Sequence, residues 1–173
     1  MYFVQRWYLL PLVTDGDVVV TVTDGTDAIS SASLTLTDGA DYTETGSTDA
    51  SGKATFEEVP NGSYTLTVEK SGYADATATV TVNGDVSVNV TMTATRTVTF
   101  TVNDGTDPVA SATVVIDGDT EGAKTTGNAG GCTATLTDGE HTISVSKEGY
   151  TTKEETITVD STHTSFTISL TSA

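Results

Sequence analysis

Apolar and polar residues alternate one by one through most of this chain from Val18 onward. Threonine often fills the polar positions, where its branched Cβ suits a pleated strand and its hydroxyl faces water. Alternation with a period of two is typical of strands that bury one face and expose the other. The pattern predicts strands at residues 18–22, 32–36, 64–68, 86–92, 98–102, 112–116, 143–145, 157–159 and 166–170.

Turn-forming dipeptides separate these runs. Asp or Asn followed by Gly favours a tight turn, because these residues tolerate the left-handed backbone that such turns require. About seven short strands in each half of the chain, with no helical period of useful length, predict an all-β fold built from antiparallel β-sandwiches. The turn signals are Asp24-Gly25, Asp38-Gly39, Asn61-Gly62, Asn83-Gly84, Asp104-Gly105, Asp117-Gly118 and Asp138-Gly139.

The chain contains an internal repeat, since residues 18–92 return with drift as residues 98–170. The stretch TDGTDAISSASLTL that begins at Thr23 returns as NDGTDPVASATVVI from Asn103. A repeat of this length is too long for a solenoid unit and suits a small self-contained domain. We therefore predict two tandem sandwich domains, at residues 15–94 and 95–173, preceded by an apolar segment at residues 1–14.

Charge limits the partners of the 173-residue chain, whose 24 acidic and 7 basic residues give a formal net charge of −17. Nucleic-acid binding needs clustered Lys and Arg, so we expect no nucleic-acid partner. Anionic membrane surfaces are disfavoured for the same reason, and no apolar run reaches the roughly 20 residues of a membrane span. Because salt screens such self-repulsion, the charge fits a halophilic host as well as an ordinary acidic surface protein.

A family resemblance is found in TDASGKATFEEVPNGSYTLTVEKSGY, from Thr48 to Tyr73. The stretch resembles the signature of carboxypeptidase regulatory-like domains, which are similar to the Cna B-type repeats of bacterial surface proteins and share a transthyretin-like or immunoglobulin-like sandwich. The resemblance implies that fold and says little about function. The matching elements are Thr48, Asp49 and Gly52 in a turn, Phe56, Val59-Pro60-Asn61-Gly62, Tyr64 and Gly72-Tyr73.

The second repeat departs from this signature. His141 stands in the place of Tyr64, and Leu136-Thr137-Asp138-Gly139 replaces the Val-Pro-Asn-Gly turn. Some Cna B-type domains carry a Lys-to-Asn isopeptide bond, which the resemblance would place on a lysine of the first strand. Residues 18–22 and 98–102 contain no lysine, so we do not expect that cross-link.

Acidic residues in the loops are candidate calcium ligands. Asp24 and Asp27 share one loop, and Asp104 and Asp107 repeat them. Calcium takes several carboxylate and carbonyl oxygens from a bent loop, but these loops lack a longer acidic ladder and a bidentate glutamate. Asp and Gly are also the residues that tight turns require, and we predict a turn role.

The histidines and the cysteine are the remaining candidates for chemistry. His141 aligns with Tyr64 at an inward strand position, and His163 lies in the last predicted hairpin turn. Cys132 aligns with Ala54, which favours a small buried residue over a nucleophile. No metal-ligand spacing joins these residues, and no motif supports a Cys–His pair. We therefore expect no catalytic residue, no metal site and no cofactor.

The segment MYFVQRWYLLPLVT, residues 1–14, is the most apolar stretch and lies outside both repeats. It places Arg6 beside Trp7, and aromatic and arginine residues are the types that anchor protein interfaces. We hypothesise that it docks the protein onto a larger assembly by adding a strand to a neighbour's sheet. The alternative is that it covers an edge of its own first domain. The candidate partner-binding residues are Tyr2, Phe3, Val4, Arg6, Trp7, Tyr8, Leu9 and Leu10.

A structural role is the leading hypothesis for the function. Residues 1–14 lack the basic start and the cleavage site of a secretion signal, and the single cysteine allows no disulfide within the chain. These features favour a virion component of a tailed virus, such as a capsid decoration, turret or tail-associated spike, assembled in the host cytoplasm. The alternative is an extracellular cell-surface stalk, surface-layer or pilus-like adhesion module.

Enzymatic activity is not expected. A glycoside hydrolase would need paired carboxylates across a cleft, whereas the acidic residues fall mainly in turns and at strand edges. The expected partners are other structural proteins of a larger assembly, bound through residues 1–14, with the chain present as a homo-oligomer or in many copies. A glycan or receptor on a host surface is a further candidate partner.

Overall fold

A computed structural model describes residues 15–173, and these divide into two compact units. The first domain comprises residues 15–71 and 75–92, and the second comprises residues 72–74 and 93–173. Both are built from strands, in agreement with the all-β class that the alternation predicts. Within the described part of the chain, no helix is long and apolar enough to cross a membrane.

The first domain forms two sheets, with strand orders β4-β1-β7 and β3-β2-β5-β6. Side chains alternate between buried and exposed along its central strands, as in β1 and β5. The strands of this domain are β1 (Gly16–Thr23), β2 (Ser33–Thr37), β3 (Thr43–Ser47), β4 (Lys53–Val59), β5 (Gly62–Glu69), β6 (Ala76–Val82) and β7 (Val86–Thr91).

The second domain repeats this plan, with strand orders β11-β8-β15 and β10-β9-β12-β14. A short additional ribbon pairs β13 with β16. The strands are β8 (Thr95–Asn103), β9 (Thr113–Ile116), β10 (Asp119–Thr125), β11 (Gly131–Thr137), β12 (Gly139–Ser146), β13 (Tyr150–Thr151), β14 (Lys153–Val159), β15 (Ser165–Ser169) and β16 (Thr171–Ser172).

The sandwiches are not purely antiparallel, because the first and last long strands of each domain pair in parallel. β1 pairs with β7 from Val18↔Val86 to Thr23↔Thr91, and β8 pairs with β15 from Thr99↔Ser165 to Asn103↔Ser169. A parallel pair needs a long crossover connection, and here the rest of the domain supplies it. Alternation along a strand carries no information about which distant strand becomes its neighbour.

Each core lies between the two sheets of its own domain. In the second domain the buried cluster joins Val98 and Phe100 of β8 to Val114 of β9 and Ile143 of β12. In the first domain Val18, Leu34, Phe56 and Leu66 are essentially inaccessible to solvent, together with Val20, Val22, Leu36, Val59 and Val68. Most of the inward positions that the alternation predicts are therefore buried, whereas Val86, Val88, Ile116 and Phe166 are only partly buried.

A buried threonine ties two loop segments together in each domain. The Thr48 hydroxyl donates to the carbonyl of Ile29 at 2.6 Å and accepts the Ala32 N–H at 2.9 Å. The Thr126 hydroxyl does the same for Val109 and Ala112, at 2.7 and 2.8 Å. These hydroxyls satisfy buried backbone groups that have no strand partner, which explains the first residue of the family motif in structural terms.

A glycine at a left-handed position completes the same turn. Gly52 has φ +75°, and a Cβ there would lie 2.5 Å from the carbonyl oxygen of Val22. Gly130 has φ +70°, and its Cβ would lie 2.3 Å from the carbonyl oxygen of Val102. Both backbones approach a neighbouring strand too closely for any side chain, so glycine is required twice.

We expect Thr126→Val to destabilise the second domain by about 2 kcal/mol, because an isosteric methyl leaves a buried N–H and a buried carbonyl without partners. Thr126→Ser keeps the hydroxyl and is the matched control, with a smaller loss. Chemical denaturation of the full chain measures both. Equal losses in the Val and Ser variants would contradict a role for the hydrogen bonds and leave only the packing of the methyl group.

Candidate functional site

The predicted partner-binding residues lie outside the described part of the chain. Tyr2, Phe3, Val4, Arg6 and the other members of that group all fall within residues 1–14, whereas the structure describes residues 15–173. Their docking role therefore stays a prediction. The remaining candidates, which are the acidic loops, the histidines and Cys132, can be placed.

The acidic loops hold their own backbones. Asp24 Oδ1 accepts the N–H groups of Thr26 and Asp27 at 2.9 and 2.7 Å, and Asp104 makes the same two bonds in its own loop. The bond from the Asp27 N–H is the main cause that lowers the pKa of Asp24 below its ordinary value. These carboxylates serve Asx-type turns, in agreement with the turn role predicted for them.

His141 is buried, and both of its ring nitrogens have partners. Nδ1 lies 2.6 Å from Oδ2 of Asp117, and Nε2 lies 2.8 Å from the carbonyl oxygen of Thr137. A carbonyl and a carboxylate can only accept hydrogen bonds, so both nitrogens act as donors when both bonds are made, and the ring is then an imidazolium. Sequence reasoning did not find Asp117 as a partner, because Asp117-Gly118 has the pattern of an ordinary turn.

The environment of His141 favours the charged form. Burial lowers the pKa of the imidazole, but the hydrogen bonds to Asp117 and Thr137 outweigh burial and raise the pKa above its ordinary value of 6.5. Burial raises the pKa of Asp117, but the hydrogen bonds from His141 and from the Thr142 N–H outweigh burial, so that the net pKa lies below its ordinary value. The two groups form an ion pair whose carboxylate is half exposed.

His141 performs the structural task of Tyr64. The Tyr64 hydroxyl donates to the carbonyl of Pro60 at 2.8 Å, and His141 Nε2 reaches back four residues in the same way to Thr137. Both side chains are buried at corresponding positions of β5 and β12. The prediction that His141 stands at an inward position in place of Tyr64 is confirmed.

His163 and Cys132 also have structural surroundings. His163 contacts Asp160, Nδ1 to Oδ2, at 2.8 Å. Its turn is not a hairpin as predicted, since β14 pairs with β12 whereas β15 pairs with β8. Cys132 is half-buried against the second core, where burial raises the pKa of the thiol above its ordinary value. Cys132 thus packs against the core, but it is less buried than predicted.

A cavity of about 520 Å³ in the second domain is the feature that sequence reasoning missed. It lies beside the edge strands β10 and β11 and combines an apolar wall with a charged rim. Its lining includes Ile116, Asp117, Asp119, Lys124, Ala134 and Leu136, together with the two threonines Thr133 and Thr135 of β11.

The first domain fills the corresponding space with an aromatic ring. Phe56 pairs with Val18 across β4 and β1, as Ala134 pairs with Val98 across β11 and β8. Phe56 is 1% exposed, and a Cβ on Gly46 would lie 3.4 Å from its Cε1 atom. The second repeat thus replaces Phe with Ala, and comparing the repeats position by position is the signal that could have found the cavity.

Lys124 stands where the first domain has Gly46. Leu34 pairs with Gly46 across β2 and β3, and Val114 pairs with Lys124 across β9 and β10. The pairing of β9 with β10 is interrupted between Asp119 and Lys124, whereas β2 and β3 pair without a break. The missing ring and the irregular edge strand therefore occur together at the cavity.

We expect the second domain to lose stability as pH rises above 6.5 through the raised pKa of His141, because the folded state binds the imidazolium proton more tightly than the unfolded state. With a half-exposed partner, the pH-dependent part should be about 1 kcal/mol or less. Denaturation of the full chain at several pH values measures it.

The matched variant is His141→Tyr, which restores the residue of the first repeat. It should remove this part of the pH dependence while keeping the backward hydrogen bond. Asp117→Asn should weaken the dependence, because it removes the carboxylate that favours the imidazolium. The amide oxygen can still accept the Thr142 N–H that Asp117 accepts, so the loop should be kept. A slope that is unchanged in His141→Tyr would contradict the assignment.

Comparison with known families finds a separate match in each half of the chain. Residues 17–94 match the model of the carboxypeptidase regulatory-like domain, and residues 105–173 match the model of the PEGA domain. No curated protein matches the chain.

Several solved structures are similar to the chain at low identity. The Bacillus anthracis TIE protein is 15% identical over 92% of this chain and 34% of its own, with a TM-score of 0.42. A streptococcal ancillary pilin is 16% identical over 92% and 63%, with a TM-score of 0.46. GBS52, the minor pilin of Streptococcus agalactiae, is 15% identical over 91% and 96%, with a TM-score of 0.49. The chain thus spans about a third of the first protein and less than two thirds of the second.

The family match covers the motif of residues 48–73, and the structure gives its Thr, Gly, Phe and Tyr positions defined roles in one sandwich. The resemblance of the first repeat to the carboxypeptidase regulatory-like domain, which the motif predicts, is therefore confirmed, and the diverged second repeat matches the PEGA domain model.

Proposed function

We propose that the chain is a non-catalytic, load-bearing module of a cell-surface assembly. The observation that carries this proposal is the parallel pairing of the first and last long strands, which occurs in both domains. The remaining support comes from what the two repeats have kept and from how their acidic residues are used.

The parallel pair places the two ends of each domain at opposite ends of one hydrogen-bonded ladder. The chain enters the first domain before Gly16 and leaves it after Thr91, and β1 and β7 run side by side between these points. Tension between the ends then shears the ladder, so that its hydrogen bonds are loaded together. In a hairpin pulled at its open end, the bonds break one after another.

The second domain has the same arrangement. β8 and β15 are paired up to Asn103↔Ser169, and the Leu170 N–H then donates to the Asn103 carbonyl at 2.8 Å. In the first domain the Met92 N–H donates to the Thr23 carbonyl at 2.9 Å in the same way. Both ladders are thus extended by one bond at the exit, which adds to the set of hydrogen bonds that tension would load together.

The repeats preserve scaffold contacts and vary elsewhere. The buried threonine, the left-handed glycine and a lysine that holds a loop occur in both domains. Lys70 Nζ donates to the carbonyl of Ser30 at 2.7 Å, and Lys147 Nζ donates to that of Ser111 at 3.3 Å. A spacer module needs such structural contacts in every repeat, because its function depends on its shape and its mechanical strength.

The acidic residues do not need an enzymatic explanation. Asp24, Asp38, Asp49 and Asp104 accept hydrogen bonds from the backbone of their own turns. Their carboxylates are part of the loop structure, and this supports the expectation that the chain is not an enzyme.

The cell surface is the setting that we propose. The motif of residues 48–73 resembles the Cna B-type repeats of bacterial surface proteins, and the carboxypeptidase regulatory-like match agrees with that resemblance. The virion hypothesis, which the sequence features favour, gains no support from the family matches. In either setting, residues 1–14 are proposed to attach the module to its neighbours, with several copies of the chain in one assembly.

Force spectroscopy tests the load-bearing role. In a Cys132→Ala background, handles at Asp15→Cys and Ala173→Cys pull both domains through their ends. Handles at Ser63→Cys and Thr81→Cys, a paired position of β5 and β6, pull one hairpin apart instead. We expect end-to-end unfolding to need the clearly larger force. Equal forces in the two geometries would refute the proposal.

Localisation of the native protein tests the setting. We expect antibody against residues 15–173 to label the surface of intact cells, and the protein to sediment with cell envelopes. Recovery of the protein with virus particles that are free of envelope material would overturn the cell-surface setting and restore the virion hypothesis.

A further inference from the structure

We propose that the cavity of the second domain is an acceptor site for residues 1–14 of a second copy of this chain, bound as an added β-strand. This inference rests on the proposed function as an assembled structural module and names the surface through which copies join.

The walls of the cavity are suited to a strand. β10 and β11 each stand at the end of their sheet's strand order, so each has a free edge among residues 15–173. Two backbone hydrogen bonds lie at the ends of β11, from the Val102 N–H to the Gly130 carbonyl and from the Asp138 N–H to the Ala94 carbonyl. They fix which backbone groups of β11 point towards β8. Because backbone groups alternate along a strand, the N–H and C=O groups of Thr133 and Thr135 point to the free edge. Both residues line the cavity.

The interior of the cavity is suited to a large apolar side chain. Ala134, Ile116 and Leu136 form the apolar wall, and Ile116 and Leu136 are only partly buried against the core. The first domain fills this space with the ring of Phe56. The second domain has the same fold but has Ala134 in place of this aromatic residue. An aromatic side chain from a second copy of the chain could therefore fill the space and complete the core.

Residues 1–14 have the composition that such a site selects. The run from Tyr2 to Leu10 is rich in aromatic and branched residues and precedes Pro11, which cannot donate a backbone hydrogen bond. It provides nine residues to pair along β11, which has seven.

Charge also favours this occupant. The segment carries Arg6 and no carboxylate, whereas the whole chain has a net charge of −17 and the cavity rim contains Asp117 and Asp119 beside Lys124. An acidic segment would be repelled by such a surface. Residues 1–14 therefore approach the rim more favourably than another acidic part of the chain.

The contact is head-to-tail, because a leading segment of one copy meets the second domain of the next. Contacts of this kind do not use the same patch on both partners, and they produce open chains unless a rotation closes them. The proposal thus predicts that the size of the assembly grows with concentration.

The test uses the full chain, in which Trp7 is the sole tryptophan and reports burial of the segment by its emission. We expect the wild-type mass in sedimentation to rise with concentration, together with a blue shift of Trp7 emission.

Ala134→Phe combined with Lys124→Gly restores the residues of the first repeat and fills the cavity. This variant should weaken association at least about tenfold, because it removes a central pocket, and should red-shift Trp7.

A second variant blocks the free edge without filling the cavity. Thr133→Pro removes one outward N–H at a position where an edge strand tolerates proline, and Thr55→Pro, at the corresponding position of the first domain, is the matched control. We expect Thr133→Pro alone to weaken association. If the cavity-filling variant does not fold, as judged by circular dichroism, this pair decides the question.

A mixing experiment separates the two partners. Trp7→Ser keeps the acceptor and impairs the segment, while the cavity-filling variant keeps the segment and impairs the acceptor. Each alone should be monomeric, and the mixture should form a heterodimer in which the emission of the remaining Trp7 shifts to the blue.

Wild-type-like association of both acceptor variants would overturn the acceptor site while leaving residues 1–14 as an attachment segment. A monomeric wild type with solvent-exposed Trp7 would overturn this inference together with the attachment role in the proposed function, without affecting the load-bearing role.

A monomeric wild type whose buried Trp7 becomes exposed in the cavity-filling variant would overturn binding to a second copy. Equal losses from Thr55→Pro and Thr133→Pro would also refute the acceptor site.

Discussion

The pairing of the first strand with the last is the constraint on which each domain depends. Hairpins join strands that are close in sequence, but the rest of the domain separates β1 from β7 along the chain. This non-local contact closes a longer loop than any hairpin of the domain and therefore costs more loop-closure entropy. Once formed, it fixes where the chain enters and leaves and makes the domain a unit that resists tension along its length.

The strand pattern, the turns and the inward positions could be predicted from the sequence, because alternation reports burial directly. The predicted runs nevertheless lack β3, β4, β6, β10 and β11. Of these, β3 and β10 are largely exposed and have no apolar face to alternate. Parallel pairing was also beyond reach, because no local signal identifies a distant neighbour. The partner of His141 was hidden for a related reason: Asp117 lies in a dipeptide that turn chemistry already explains.

The repeats show which contacts a sandwich of this kind can exchange and which it must keep. Tyr64 and His141 differ in charge and size, yet each reaches the carbonyl four residues before it. Gly52 and Gly130 permit no such exchange, because a backbone oxygen occupies the space that a side chain would need. The family signature is therefore recognisable in the first repeat mainly at positions where backbones come close or groups are buried.

The exchange of Phe56 for Ala134 has a consequence for folding as well. Neighbouring domains of similar sequence are prone to trade strands while they fold. A first domain that took β11 in place of β4 would contain Ala134 where a ring belongs, and a void of that kind costs about 3–5 kcal/mol. Divergence in core volume thus discourages misassembly of the two copies, so that each domain recruits the strand encoded within its own half of the gene.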